Sequence, residues 1–510
     1  MPWLTIMGLL PLIGAAVVWA LPHGTDAMAR VVALATSLAT LAVGIGMALR
    51  FDVANGGLYQ FAEQHAWIPQ IGVSYALGVD GIALVMVVLS AVLVPICVLA
   101  AWNDYRGNSA RNFFALILVL ETFMIGVFAA RDVFLFYVFF EAMLIPVYFL
   151  IGQFGGAQRR YAAVKFLLYS LLGGLVMLVA VIGLYAQGKG GEQGFLTTAL
   201  TGVFPSAAGD PTAAEVLMFL GFFFAFAVKA PMWPVHTWLP DAAGEAPPSV
   251  AVLLVGVLDK VGTFGMLTLC LPLFPNASRW AAPVIMVLAV ISVLYGALLA
   301  LGQSDLKRLI AYTSISHFGF IVLGIFAMTS YGQSGSALYM VNHGFSTAAL
   351  FLIAGMLIAR RSSSKIDDFG GLQRSTPLLA GVFLIAGLSS LALPGLSSFI
   401  SEFLVLVGTY PRYPAIAVIA TVGIILAALY ILVTYQRMFT GPKQDFAAGW
   451  RDLDSRERWV VAPLVAVIIA LGFYPKPVLD VLNPAVERTM TQVQQVDPAP
   501  AVQIAEGATP

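Results

Sequence analysis

Apolar runs close to 20 residues long recur along almost all of this 510-residue chain, and they leave it few folds to choose from. As a helix, such a run matches the roughly 30 Å hydrocarbon core of a bilayer. In lipid, only helices and closed barrels satisfy their own backbone polar groups. Fourteen segments of this kind are read at 3–21, 30–50, 78–101, 113–130, 132–152, 161–186, 214–241, 247–271, 280–302, 307–329, 333–360, 376–409, 413–439 and 458–478. Composition agrees: 60% of residues are hydrophobic and 10% charged, where a soluble domain carries about 25% charged. The expectation is an all-α polytopic membrane protein with about 14 transmembrane helices.

Several function classes fall away at once. A formal net charge of zero argues against nucleic-acid binding. Cys97 and Cys270 lie inside apolar runs and read as free thiols, with neither a disulfide nor a metal cluster. The opening MPWLTIMGLLPLIGAAVVWALPHG lacks a basic leader and an evident small-residue cleavage site, so it reads as a retained first helix. No Gly-rich nucleotide fingerprint follows a strand, and no cysteines cluster as haem or iron–sulfur sites need. The chemistry is expected inside the bilayer.

An even number of crossings places both termini on one side. With the termini outside, seventeen Lys and Arg, including Arg106, Arg159, Arg160, Lys307 and Arg308, fall on the inner side and seven on the outer. That is the asymmetry of the positive-inside rule. Gly-rich outer loops are expected at 51–77 and 187–213, and the polar tail from Asn483 to Pro510 reads as extended or disordered. The spans at 214–241 and 376–409 are long and contain prolines, which makes helices 7 and 12 discontinuous. Their breaks, at Pro231 and at Pro394-Gly395, lie five helices apart, and an odd offset reverses direction. Two inverted five-helix repeats are therefore expected. The divisions are 1–112 for helices 1–3, 113–271 and 280–439 for the repeats, 440–482 for an inner loop and helix 14, and 483–510 for the tail.

Ionisable residues within the spans are few. Lys229 stands in FFFAFAVKAPMWPVHTW. A lysine at the bilayer centre costs roughly 2.5–3.5 kcal/mol on insertion scales and usually marks an ion or proton path. Pro231 and Pro234 break the helix beside the charge, a construction common in transporters. Glu141, in VFLFYVFFEAMLIPVYFLIG, is too deep to snorkel. It is either a protonated side chain making one structural hydrogen bond or, as preferred here, a proton or ion site. Opposite charges roughly 8 Å apart at an effective dielectric near 20 attract by about 2 kcal/mol. Glu141 near Lys229 would hold the proton on the lysine, and its withdrawal or protonation would favour release.

Lys260 lies mid-span in VAVLLVGVLDKVGTFGMLTL and reads as a relay member. Asp259 directly precedes it, about 100° around the helix, and either tunes the lysine or forms a local ion pair. Lone membrane histidines are often satisfied hydrogen-bonders between helices. The number and depth of His236, His317 and His343 instead favour proton passage by imidazole. No matching carboxylate or cysteine spacing supports metal ligation. Glu402, the sole acid of helix 12, follows the Pro394-Gly395 break and is the outlet-side candidate. Glu121 in helix 4 is open to either a functional or a structural role. Asp80, in GVDGIALVM, reads as an N-cap, and Asp241, in TWLPDAAGEAP, as capping or closing the second half of helix 7.

Seven segments together are similar to one known family: FAVKAPMWPVHTWLPDA, VLLVGVLDKVGTFG, LCLPLFPNAS, FYVFFEAMLIPVYFLIGQFGG, SDLKRLIAYTSISHFGFIVLGI, NHGFSTAALFLIAG and LPGLSSFISEF. They resemble the chain M family, the antiporter-like proton-pumping membrane subunits of bacterial NADH:quinone oxidoreductase (respiratory complex I), from about residue 75 to 440. The resemblance implies fourteen helices, two inverted repeats and a water-filled line of residues near the midplane. It implies no redox centre in this chain, with NADH, FMN, Fe–S clusters and quinone on other subunits. Neighbouring antiporter-like and other membrane subunits and lipids become the expected partners, in a bacterial plasma membrane. By motif, Glu141, Lys229, Lys260 and Glu402 match the family's helix-5 glutamate, helix-7 and helix-8 lysines and helix-12 glutamate, with His236, His317 and His343 as its intervening histidines. Glu rather than Lys at 402 favours chain M over its two antiporter-like neighbours. Asp259 and the EAPPSVAVLL entry to helix 8 depart from the family pattern.

The alternative is a subunit of a multisubunit Na+/H+ antiporter, against which VFFEAMLIPVYFLIG and HTWLPDA speak. A membrane scaffold that only anchors other chains would gain nothing from a row of desolvated charges.

Overall fold

The computed structural model describes residues 1–22, 24–191, 193–206 and 209–499. Two helices, α1 (Trp3–Ala20) and α2 (Asp26–Ala48), precede a hairpin of β1 (Gln60–Ile68) and β2 (Val73–Val79). The strands pair antiparallel, Gln60 opposite Val79 and Ile68 opposite Val73, with β2 buried and β1 facing out. Gly72 turns the chain at a φ of 75°, a conformation glycine adopts without steric cost. The segment 51–77, read as a loop, is thus mostly a hairpin within an otherwise helical chain.

From there α3 (Gly81–Ala100) starts on its Asp80 cap, whose carboxylate accepts from the Ala83 N–H at 2.9 Å, as expected. α4 (Asn108–Ala129) follows. The fifth span is α5 (Val133–Ala142) and α6 (Leu144–Phe154), interrupted at Met143. Pro146 has no N–H for the carbonyl of Ala142, so the ladder fails just past Glu141. After α7 (Arg159–Gln187) and the short α8 (Thr197–Leu200), the seventh span is split into α9 (Ala213–Lys229) and α10 (Trp238–Glu245). The eighth is α11 (Pro248–Leu253), α12 (Lys260–Gly265) and α13 (Leu271–Leu273), joined by π-helical turns at Leu254–Leu258 and Met266–Cys270. Three long helices come next: α14 (Pro275–Leu301), α15 (Leu306–Ala327) and α16 (Ser330–Arg361). The twelfth span breaks between α17 (Pro377–Ser390) and α18 (Ser397–Thr409), and α19 (Pro414–Phe439), α20 (Ser455–Phe473) and α21 (Lys476–Gln492) complete the chain.

Among the described residues, 11 helices are long and apolar enough to cross a membrane, with α5–α6 and α11–α13 each taken as one. The other expected spans are the broken pairs α9–α10 and α17–α18, and α20, which bends by 70° into α21. Each of the fourteen expected segments coincides with a helix or a broken pair. The α11–α13 series is buried throughout and α15 and α16 nearly so, whereas α1, α2 and α19 leave most of their surface uncovered. Leu172, Val179, Leu217 and Ile425 show bare apolar faces, which lipid would cover. The middle of the molecule is therefore built from helices 8, 10 and 11.

The tail corrects the sequence reading. Asn483 to Gln492 is neither extended nor disordered but belongs to α21, whose Leu482, Ala485, Val486, Thr489 and Met490 are buried at helical spacing against α3 and α16. Its polar half masked the apolar stripe in the composition. Residues 500–510 lie outside the described residues. Arg488 of α21 donates to the Gly57 carbonyl at 2.8 Å, and the Leu4 N–H donates to Glu63 of β1 at 2.8 Å. The start of α1 and the last helix therefore meet the hairpin on one face of the molecule.

A candidate proton-carrying site

Lys229 is the last residue of α9, and the break after it is well satisfied. The carbonyls of Phe226 and Ala227 accept from the N–H groups of Ala230 and Met232. The Val228 carbonyl accepts from the Trp238 indole at 2.9 Å. These are acceptors that a helix end leaves over, so the backbone needs nothing from the lysine. Lys229 is 1% exposed and its Nζ has no hydrogen-bond partner among the described residues. It stands 4.9 Å from the centroid of Phe140 and 5.8 Å from that of Phe166, geometry in which ring faces attract a cation.

Glu141 lies within Coulombic reach of Lys229 but makes no direct ion pair with it, and its Oε1 is enclosed without a partner among the described residues. Two glycines of α7 set this arrangement. A Cβ on Gly173 would come 3.3 Å from Ala225 Cα on α9, and one on Gly174 would come 1.6 Å from Glu141 Oε1. The carboxylate occupies the place a side chain at 174 would take. Glu141 itself is only partly buried.

A second group begins at Lys260, the first residue of α12. Its Nζ donates to the Val255 carbonyl and lies 2.7 Å from His343 Nδ1 on α16. The ring of His343 is 5.3 Å, centroid to centroid, from that of His317 on α15. His317 Nδ1 is 2.6 Å from the Tyr339 hydroxyl and its Nε2 is 3.1 Å from the Ser390 hydroxyl, at the end of α17. Tyr339 in turn reaches the carboxyl of Glu402 on α18. Lys260, His343, His317, Tyr339 and Glu402 thus form one line across four helices, every member buried. Serines and an asparagine line the break in helix 12: Ser346 and Ser389 hydroxyls are 2.7 Å apart, and Asn342 donates to the Ser397 carbonyl at 2.6 Å. Such groups satisfy backbone freed inside a membrane.

Other sequence candidates stand apart. His236 follows the break on the α10 side, stacked edge-on at 5.1 Å from Tyr295, outside the line. Asp241 is not a cap; it lies in the first turn of α10 and pairs with Lys165 at 2.7 Å and Arg308 at 2.6 Å, which ties α10 to α7 and α15. Glu121 is fully buried, with neither oxygen partnered among the described residues. Asp259 does not pair with Lys260, whose ammonium turns to Val255 and His343 instead.

Sequence reasoning missed Tyr339, Ser390 and Gly174. Tyr339 had one available signal: it precedes His343 by four residues and so shares its helical face. Nothing local marks Gly174, because its role depends on a side chain from another helix.

Comparison with known proteins gives the family and the fold. The family described as NADH:quinone oxidoreductase/Mrp antiporter, transmembrane, matches residues 130–427, and that described as NADH-ubiquinone oxidoreductase chain 4, amino terminus, matches 57–127. NADH-quinone oxidoreductase subunit M of Mycobacterium tuberculosis is 51% identical, over 98% of this chain and 96% of the relative. The subunit M of Rhodobacter capsulatus is 40% identical over 95% of each. A chain of respiratory complex I from Thermus thermophilus superposes with a TM-score of 0.87 at 33% identity, over 96% of this chain and 99% of that one. A chain of the Mrp complex from Dietzia shares the fold, with a TM-score of 0.84 at 22% identity over 97% and 100%. The chain belongs to the subunit M family of NADH-quinone oxidoreductase, the antiporter-like membrane subunits of complex I.

Proposed function

We propose that this subunit carries protons across the membrane and takes no part in electron transfer itself. Protons pass from Lys229 to Lys260 and then through His343, His317 and Tyr339 to Glu402, with Glu141 biasing the charge on Lys229. NADH, FMN, Fe–S clusters and quinone are assigned to other subunits, whose quinone chemistry drives the relay. The observation that carries this reading is the line from Lys260 to Glu402, in which 2.7 Å and 2.6 Å contacts flank a pair of adjacent imidazoles. Imidazole and phenol groups both donate and accept, which is what a proton wire needs. The half-buried Glu141, at bilayer depth, favours cover by a neighbouring antiporter-like subunit, with lipid around the remaining apolar surface. The breaks at 229–238 and 390–397 fit two inverted repeats, helices 4–8 and 9–13. The Lys and Arg asymmetry fits a bacterial plasma membrane with both termini outside. The Na+/H+ antiporter alternative keeps only the fold likeness at 22% identity.

The test is NADH-driven proton uptake by the whole complex in liposomes. Glu141→Ala and Lys229→Ala assemble and lose most pumping together with coupled quinone reduction. Wild-type rates in either variant remove that residue from the path.

A further inference from the structure

The line described above has a gap between Lys229 and Lys260, and one residue fills it. Asp259 is fully buried, and neither of its carboxylate oxygens has a hydrogen-bond partner among the described residues. Its backbone marks the step from the π-helical turn Leu254–Leu258 into α12, with its N–H donating to the Leu254 carbonyl. The face it occupies is set by two glycines. A Cβ on Gly262 would come 2.5 Å from the Phe226 carbonyl and 2.6 Å from the Ala230 nitrogen, and one on Gly265 would enter the Phe226 ring. α12 therefore lies backbone to backbone against the last turn of α9, the turn that ends in Lys229. Gly262 follows Asp259 by three residues, which puts the two on neighbouring positions of one helical face. Lys260, about 100° further round, sends its ammonium the other way, to Val255 and His343. The Asp259 carboxylate stands within Coulombic reach of both Lys229 and Lys260. Lone buried carboxylates are costly unless compensated, and the compensation this fold offers is a lysine on each side, the one that carries the proton at the time.

We propose that Asp259 is the proton carrier between Lys229 and Lys260. When Glu141 withdraws, the Lys229 ammonium gives a proton through bridging water to the Asp259 carboxylate, leaving a neutral amine and a neutral acid. The acid then passes the proton, again through water, to the neutral amine of Lys260, which restores the carboxylate and leaves the charge on Lys260, against His343. One proton moves, net charge is conserved, and Asp259 ends as it began. This inference rests on the proton-carrying reading of the chain.

The experiment uses the assembled complex in liposomes and compares Asp259→Asn, which keeps the shape, with Asp259→Glu, which keeps the acid. Asp259→Asn assembles and pumps about 30-fold more slowly, the factor that a unit charge roughly 8 Å away is worth at an effective dielectric near 20. Asp259→Glu recovers most of the rate. A wild-type rate in Asp259→Asn overturns the proposal, as does an Asp259→Glu variant that assembles and pumps no better than the amide. If the amide variant fails to assemble, the NADH-induced infrared difference spectrum of the wild-type complex with isotopically labelled aspartate decides. An aspartate carboxyl that gains and loses a proton during turnover supports the carrier, and a silent spectrum overturns it. Lys229→Ala in the same assay separates the two levels. Normal pumping there sinks the relay as a whole, whereas a dead Lys229→Ala beside a normal Asp259→Asn sinks only the carrier.

Discussion

Lys260 Nζ lies 2.7 Å from His343 Nδ1 and also donates to the Val255 carbonyl, so one ammonium ties the bulged eighth helix to α16. The π-helical turn supplies that carbonyl, as bulges at functional sites often do. A charge held between a carbonyl and an imidazole has only one partner that can take its proton. The lysine faces the histidine for transfer and the carbonyl for position.

Lys260→Arg separates those two uses. Arginine keeps the positive charge but does not give up its proton in proteins. The variant assembles, and proton uptake in liposomes falls by about 100-fold, the low end for losing a positioned proton-transfer group. Retained pumping would mean that Lys260 acts by its charge alone.

Gly174→Ala tests how Glu141 is placed. The new methyl displaces a movable carboxylate, 1.6 Å away, rather than backbone. Alanine also favours a helix over glycine by roughly 0.5–1 kcal/mol. Thermal stability of the complex is therefore held or raised, while pumping drops about tenfold, equivalent to 1.4 kcal/mol of lost Glu141–Lys229 coupling.

Tyr339→Phe removes the hydroxyl that His317 and Glu402 share. Two hydrogen bonds are lost, each worth about 0.5–1.5 kcal/mol of stability, too little together to prevent assembly. Pumping falls about 100-fold, as for other positioned proton-transfer groups, and turnover in the detergent-solubilised complex falls with it.

Glu402→Lys keeps part of the transport. The position, beside Tyr339 at the far end of the line, needs a group that binds and releases a proton more than it needs a carboxylate. Complete loss of proton uptake in a correctly assembled complex would contradict this.

Glu457→Ala addresses stability alone. Glu457 grips Arg360 with contacts of 2.7 Å and 2.6 Å and closes the capping box of α20. Removing one partner of a largely buried pair costs about 3–5 kcal/mol, and loss of the reciprocal bond from the Asp454 N–H to Glu457 about 0.5–1.5 kcal/mol more, while the Asp454 cap itself stays. The complex loses thermal stability or fails to retain this subunit, as native gels would show.

The membrane spans were legible because bilayer thickness imposes one length on every crossing. Pro231 announced the break at Lys229, and the chain does stop being helical at Ala230. Depth alone singled out Lys260, His317, His343 and Glu402. What stayed hidden depends on partners distant in sequence. Tyr339 looks like any aromatic of an apolar helix until His317 is seen beside it. The π-helical turn at Leu254–Leu258 is written in ordinary aliphatic residues. Helix α21 escaped notice because only one of its faces is apolar. Asp259 was visible as an oddity next to Lys260, but its direction, toward α9 rather than its neighbour, follows from Gly262 and Gly265 meeting Phe226.

The central claim is that Lys229 and Glu402 are ends of one proton path, and ordered water tests it most directly. A cryo-EM map of the assembled complex at a resolution that shows water should reveal density linking Lys229 through Asp259 to Lys260, and on past the histidines and Tyr339 to Glu402. Dry apolar packing that separates Lys229 from Lys260 would contradict the account.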